Sequence, residues 1–330
     1  MVYIYKKSVG KKDYYYLRAS VRKGSKVISK DIAYLGDSIT KTKKELSKLT
    51  KYKSEIKKSY RKINLFLELN YYLEMAKEKK YKVDELLEKE IHGIEACKIH
   101  YDKDFKKQDK LTQKQILENF VIDFTYNTTS IEGNTIGLKE VQNLFEEGLT
   151  PKNKTLREIY DLQNTKSVFE NLDLKKDISD KLIVKIHDNL LVNIDQRKGY
   201  RVKDVLVKGG GFSSTPWQFI SGDVAELIKW YKENKKLHPL VLATIFPHKF
   251  EKIHPFFDGN GRTGRMLMNF ILLKNNYPPM IIRKKYRTDY LDSLSAADNE
   301  NVFSKETKQY KKLVGFVVSE FVNNYWNIFL

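Results

Sequence analysis

The sequence predicts a mainly α-helical protein: an all-α body that carries one β-hairpin, preceded by a small antiparallel β module and a helical stalk. Three observations predict this class. Clusters of β-branched and aromatic residues, broken by turn-forming stretches, fill residues 1–37. Residues 38–80 contain no Pro or Gly and are rich in Lys, Glu, Leu and Tyr, which is a helical composition. From residue 111 onward, apolar residues recur mostly at helical spacing.

The β module, residues 1–37, is expected to form three antiparallel strands. Its β-forming clusters lie at 3–5, 14–17 and 27–35, and the Gly-containing stretches 10–13 and 23–26 suit hairpin turns. Because so small a sheet buries little surface by itself, we expect it to pack against another part of the chain.

The helical linker or stalk is predicted at residues 38–110, with a charged connecting segment at 101–110. The helical body, residues 111–330, is expected to begin with a helix near Thr112, because Thr112 and Gln115 have the spacing of a capping box. Further helices are predicted at 135–148, 152–172, 178–192, 223–235, 239–253, 262–275 and 287–297, with a last helix closing the chain. Residues 200–219 break this pattern, since aliphatic and aromatic residues flank three consecutive glycines, and they predict a hairpin flap.

Charge is distributed unevenly along the chain. Residues 1–62 have a net charge of +14 out of a total of +19. Such a basic segment, with Tyr interleaved among Lys and Arg, fits either a well-solvated surface or a nucleic-acid contact. The single cysteine, the absence of a signal-peptide pattern and the absence of a long apolar run predict a cytoplasmic protein that is not bound to a membrane.

An anion-binding loop is predicted just after residue 253. Gly259 and Gly261 allow backbone N–H groups to converge on an anion, and a helix starting near Arg262 would add its N-terminal donors. Arg262 and Arg265 are three residues apart, so both project from one helix face and can hold phosphate oxygens.

The same loop contains a candidate base and a candidate metal ligand. His254 can accept a proton near neutral pH, and Asp258 supplies a hard oxygen suited to Mg²⁺. Together with the anion-binding residues, this set predicts phosphoryl- or nucleotidyl-transfer chemistry.

Residues 254–265, the signature loop, resemble the Fic-family motif H-P-F-x-(D/E)-G-N-G-R-x-x-R at every fixed position. The resemblance implies an all-α Fic core, transfer of AMP from ATP to a Ser, Thr or Tyr hydroxyl of a protein (including itself), and ATP and Mg²⁺ as cofactors. It implies that His254 is the general base and that Asp258 holds the metal. The other implied site residues are Gly259, Asn260, Gly261, Arg262, Thr263, Gly264 and Arg265 for the phosphates, Tyr290 beside the adenine, and Val207, Lys208, Gly209 and Gly210 in a flap that clamps the target.

A second segment, residues 128–133, resembles the inhibitory motif (S/T)-x-x-x-E-(G/N) of the self-inhibited Fic class. Thr128, Glu132 and Gly133 match it. The resemblance implies that Glu132 pairs with Arg265 in place of the γ-phosphate, and that Glu132 can also serve removal of AMP. The alternative is an ordinary helix end, with Glu132 exposed and Gly133 as the residue after the cap.

Several alternatives stay open at this level. Gly261 is the residue that AMP-transferring members have where a phosphate-transferring branch has Lys, yet UMP or phosphocholine transfer also fits the loop. The rival function is a nucleotide-sensing regulator that binds nucleic acid through residues 1–62 and has no transferase activity. A homodimer is also open.

Overall fold

The computed structural model describes residues 1–10, 12–82, 84–206, 213–298 and 307–330. Over these residues the chain forms one three-stranded sheet and thirteen α-helices, in agreement with the predicted class. The strands are β1 (Val2–Val9), β2 (Lys12–Lys23) and β3 (Lys26–Gly36). The helices are α1 (Ile39–Lys48), α2 (Lys53–Lys58), α3 (Tyr60–Lys77), α4 (Ile91–Lys103), α5 (Lys110–Ile131), α6 (Leu138–Glu146), α7 (Leu156–Glu170), α8 (Asp180–Leu190), α9 (Ile220–Glu233), α10 (Pro239–Ile253), α11 (Asn260–Lys274), α12 (Arg287–Ala297) and α13 (Lys311–Ile328).

The N-terminal sheet is antiparallel in the order β1-β2-β3, which confirms the predicted strands. Tyr5 lies opposite Tyr16, and Tyr16 lies opposite Tyr34. Because side chains alternate along a strand, the neighbouring residues Ile4 and Leu17 point to the other face, where they are buried with residues of α1 and α3. As expected, this small sheet packs against another part of the chain, namely helices α1 and α3.

The segment predicted as a linker, 101–110, is instead packed into the body. Helix α4 continues to Lys103, and a 3₁₀ turn follows at Phe105–Lys107. Phe105 is 1% exposed, and its ring lies 5.1 Å from that of Phe329. The prediction was wrong because the charged residues of this stretch face solvent while its aromatic residues fill the core beneath α13.

The centre of the body is the antiparallel pair α10 and α11, whose apolar residues are almost all buried. Pro239 in the first turn and a His238 side-chain cap begin α10, and α11 begins at Asn260, two residues before the predicted start. Helix α5 begins at Lys110 rather than with the predicted capping box, because the Asp109 carboxylate accepts the Thr112 N–H at 3.0 Å. The other predicted helices are confirmed, with ends shifted by a few residues.

The predicted hairpin falls partly outside the described residues. Residues 200–206 and 213–216 contain no strand, and a 3₁₀ turn follows at Trp217–Phe219. The four predicted flap residues, Val207, Lys208, Gly209 and Gly210, lie outside the described part of the chain. Among the described residues, no helix combines the length and apolar character that crossing a bilayer requires.

Candidate active site

The connection between α10 and α11 forms the floor of the candidate site. The Asn260 side chain closes this turn, since it accepts the Phe256 N–H at 3.1 Å and donates to the Phe256 carbonyl at 2.9 Å. Phe256 is fully buried, and its ring stacks on His187 with centroids 3.5 Å apart. Phe256 thus anchors the turn to the core.

His254 ends α10 in the left-handed conformation, with φ of 53°. Its Nδ1 lies 3.3 Å from the Glu251 carbonyl oxygen. Because a carbonyl can only accept, Nδ1 carries the proton and Nε2 keeps the lone pair that a general base needs. Burial lowers the pKa of His254 below its usual value, which keeps this lone pair available at neutral pH.

Arg201 is a site residue that sequence reasoning did not single out for a role. Its side chain is fully buried, and its Nε donates to the His254 carbonyl at 2.8 Å. The Arg201 N–H donates to the Pro255 carbonyl at 2.9 Å, and its guanidinium also contacts the Thr215 carbonyl. Arg201 therefore joins the His254 turn to the two chain segments from which the predicted flap extends.

The start of α11 has the geometry of an anion site, and the Glu132 carboxylate lies in it. Gly259, with φ of 79°, lets the chain turn into the helix. A Cβ on Gly261 would lie only 2.3 Å from Glu132 Oε1. The Glu132 carboxylate thus lies directly against the first turn of α11, where helix N-termini favour negative charge.

Arg265 is the main partner of that carboxylate. Its Nη2 donates to Glu132 Oε1 at 2.6 Å, while its Nε and Nη2 donate to the Thr128 hydroxyl and carbonyl at 2.7 and 3.0 Å. Burial alone would raise the pKa of Glu132, but the Arg265 charge outweighs it and holds that pKa below its usual value. The two segments predicted from sequence, residues 128–133 and the signature loop, are therefore in direct contact. Gly133 follows with φ of 106°, which ends α5.

Asp258 and Arg262 are already occupied by residues of α7. Asp258 forms an ion pair with Arg157 and a weaker one with Arg262, at 3.2 Å. Arg262, which is buried, forms an ion pair with Asp161. Neither Arg157 nor Asp161 was found from the sequence, because each lies 101 residues from its partner and no local pattern links them.

The donor set fits Mg²⁺ only together with a nucleotide. Asp258 offers one carboxylate with 36% of its side chain exposed. Among the described residues, no cluster of three or more His, Cys, Asp or Glu could hold a metal ion. Mg²⁺ commonly takes one or two carboxylates and completes its octahedron with substrate phosphates and water, and Asp258 beside the anion site suits this arrangement.

The remaining predicted phosphate and adenine residues lie deeper. Thr263 is fully buried, and a Cβ on Gly264 would come 2.5 Å from Glu251 Oε1, so Gly264 allows α11 to lie close to α10. Tyr290, predicted beside the adenine, is 2% exposed, and its ring lies 5.8 Å from Phe316. In this arrangement Tyr290 belongs to the core behind Arg265.

Parts of the chain are similar to known proteins. A model of the Fic/DOC family matches residues 177–272. The protein adenylyltransferase fic-1 of Caenorhabditis elegans is 29% identical over 183 residues, 53% of this chain and 36% of that protein. The protein adenylyltransferase Fic of Drosophila ananassae is 32% identical over 189 residues, 54% of this chain and 37% of that protein. The chain thus matches little more than a third of the length of these relatives.

Solved structures show the same fold. A Fic-domain-containing signalling protein from Bacteroides thetaiotaomicron superposes with a TM-score of 0.64 at 23% identity, covering 71% of this chain and 94% of that one.

Proposed function

We propose that the chain, in which residues 177–272 match the Fic/DOC family, is a protein adenylyltransferase that transfers AMP from ATP to a protein hydroxyl. The observation that carries the proposal is His254, whose Nδ1 faces the Glu251 carbonyl so that Nε2 keeps its lone pair, in the loop that leads into the anion site at the start of α11. The curated relatives named protein adenylyltransferases support it.

The proposed reaction is a nucleotidyl transfer. His254 Nε2 takes the proton of a Ser, Thr or Tyr hydroxyl, and the oxygen attacks the α-phosphorus of ATP. The bond from the α-phosphorus to the bridging oxygen breaks, and pyrophosphate leaves with its electron pair. The start of α11 binds the phosphates, while Arg262 and Arg265 hold the outer phosphate oxygens. Mg²⁺, held by Asp258 and the nucleotide, would neutralise phosphate charge.

In the resting chain the site is inhibited by Glu132. Its carboxylate occupies Arg265 and the first turn of α11, which are the positions proposed for the γ-phosphate. Breaking a fully buried ion pair costs about 3–5 kcal/mol, and this pair is worth less because 38% of the Glu132 side chain is exposed. An ion pair of this partly exposed kind opposes productive ATP binding, and it can still break and re-form. The same carboxylate could orient water for removing AMP from a modified target.

The test compares self-labelling by ATP that carries ³²P at the α- or the γ-phosphate. Glu132→Gly should strongly increase label from α-³²P only, and Glu132→Gly with His254→Ala should abolish it while ATP still binds. The matched control is Glu147→Gly, since Glu147 caps the end of α6 and precedes a positive-φ glycine, just as Glu132 does at the end of α5. Label from γ-³²P would show kinase chemistry, and no label from Glu132→Gly would overturn the proposal.

The nucleotide, the target and the cellular site follow from the same proposal. We expect ATP rather than UTP as donor, a hydroxyl-bearing protein (this chain included) as acceptor, and a cytoplasmic setting. Competition between labelled ATP and unlabelled UTP in the Glu132→Gly chain tests the first of these. Displacement by UTP as effective as that by ATP would contradict it.

A second candidate function, nucleic-acid binding, is favoured by the outer face of the N-terminal sheet. Tyr5, Tyr16 and Tyr34 lie side by side there, and the Arg18 guanidinium lies 3.4 Å from the centre of the Tyr5 ring. Such faces bind single strands by stacking and charge. Tyr16→Ala with Tyr34→Ala should weaken binding of a labelled oligothymidylate in fluorescence anisotropy. Tyr60→Ala, which removes a tyrosine 63% exposed outside the sheet, is the control.

A further inference from the structure

The residues that follow the inhibitory segment are fastened to the start of α7 by one carboxylate. Glu158 Oε1 accepts the Thr135 N–H at 3.1 Å and the Thr135 hydroxyl at 2.6 Å. Its other oxygen, Oε2, accepts the Thr155 N–H at 3.1 Å and the Thr155 hydroxyl at 2.9 Å. Glu158 thus caps its own helix with one oxygen and holds the chain beyond Glu132 with the other.

Further contacts join the same two segments. The Asn134 side chain, 6% exposed, donates to the Glu158 carbonyl at 2.9 Å and accepts the Ile136 N–H at 3.0 Å. Lys154 Nζ donates to the Thr135 carbonyl at 3.0 Å. Residues 134–136 are therefore held against the start of α7 by several hydrogen bonds, and Glu132 lies two residues before them.

The Glu158 carboxylate remains an acceptor under all ordinary conditions. The hydrogen bond from the Thr135 hydroxyl, followed by that of the Thr155 N–H, lowers the pKa of Glu158 to about 2. A charged acceptor strengthens each of its hydrogen bonds relative to a neutral one.

Helix α7 also forms two ion pairs with the signature loop. Arg157 is ion-paired with Asp258, and Asp161 is ion-paired with Arg262, within four residues on either side of Glu158. Helix α7 therefore contacts both the residues that follow the inhibitory segment and the signature loop against which Glu132 lies. Helix α7 thus contacts the chain just after Glu132, at Thr135, and just before Arg265, at Asp258 and Arg262.

We propose that Glu158 is the positioning residue of the inhibitory segment: its bonds to Thr135 keep Glu132 against Arg265. This proposal rests on the adenylyltransferase function with inhibition by Glu132 proposed above. It assigns Glu158 no contact with nucleotide. Weakening the Thr135 side of its carboxylate should release Glu132 directly, whereas weakening the Thr155 side should act on Glu132 only indirectly, through the first turn of α7.

The test exploits the two threonines on one carboxylate. Thr135→Val removes the hydroxyl on the inhibitory side, and Thr155→Val removes the matching hydroxyl on the helix side. Because the Thr135 N–H bond remains, we expect Thr135→Val to raise self-labelling from α-³²P ATP about two- to tenfold. Thr155→Val should raise labelling less than Thr135→Val does, Thr135→Ser should keep the original level, and Glu158→Ala should approach the level of Glu132→Gly.

Two readouts separate failure of this inference from failure of the proposed function. Glu132→Gly sets the upper limit of labelling, so its failure to label would refute the function itself. If Glu132→Gly labels while Thr135→Val and Thr155→Val behave alike, the positioning role of Glu158 is refuted. Amide hydrogen exchange of residues 132–136, measured without ATP, should be faster in Thr135→Val than in Thr155→Val, and equal rates would contradict the proposal even if a variant labelled poorly.

Discussion

Replacing Arg157 by Gln should make the site bind Mg²⁺ more readily. The Arg157 guanidinium is ion-paired with Asp258, the oxygen ligand proposed for the metal, so the metal must displace Arg157 in order to bind. The Arg157 side chain is 61% exposed and that of Asp258 is 36% exposed, so solvent screens the pair. Pairs of this kind are worth about 0.2–1 kcal/mol. The Mg²⁺ concentration for half-maximal ATP binding should therefore fall by a factor of about 1.4 to 5.

The assay is calorimetric titration of ATP at a series of Mg²⁺ concentrations in the Glu132→Gly chain, with and without Arg157→Gln. Arg197→Gln is the matched control, because Arg197 is 58% exposed, lies 4.3 Å from the Phe257 ring and pairs with Asp195 instead. Equal shifts in the two variants would indicate a general charge effect. A higher Mg²⁺ requirement in Arg157→Gln would refute the reasoning, since Arg157 would then assist the bound nucleotide.

Two further predictions concern the base and the anion site. Because burial lowers the pKa of His254, transfer by the Glu132→Gly chain should stay constant as pH falls to about 6.5, the usual histidine value, and decline only below it. A pH–rate profile that already falls above that value would contradict this. Gly261→Ala in the Glu132→Gly chain should weaken ATP binding at least tenfold, because its Cβ would project to where Glu132 Oε1 now lies. Unchanged calorimetric affinity would show that the carboxylate and the phosphates occupy different places.

Most of the fold class followed from local sequence patterns, because hydrophobic periodicity and turn residues act over a few neighbouring positions. The strands of the N-terminal sheet and helix α10, at its predicted residues 239–253, are examples. The prediction of a linker at 101–110 was wrong because it relied on a local pattern alone. Its charge is local, whereas the burial of Phe105 depends on Phe329, more than two hundred residues away.

The candidate site divides in the same way. The sequence by itself predicted the chemistry of the signature loop, because a candidate base, a carboxylate, two arginines and two glycines suited to an anion site lie within twelve consecutive residues. It also indicated Glu132 through a short motif. Only the tertiary structure brought Glu132 within 2.6 Å of Arg265, placed Arg157 and Asp161 of α7 against the same loop, and placed Glu158 against Thr135. Ion pairs and hydrogen bonds between distant segments leave no periodic trace in the chain, since they depend on how helices pack rather than on spacing along the sequence.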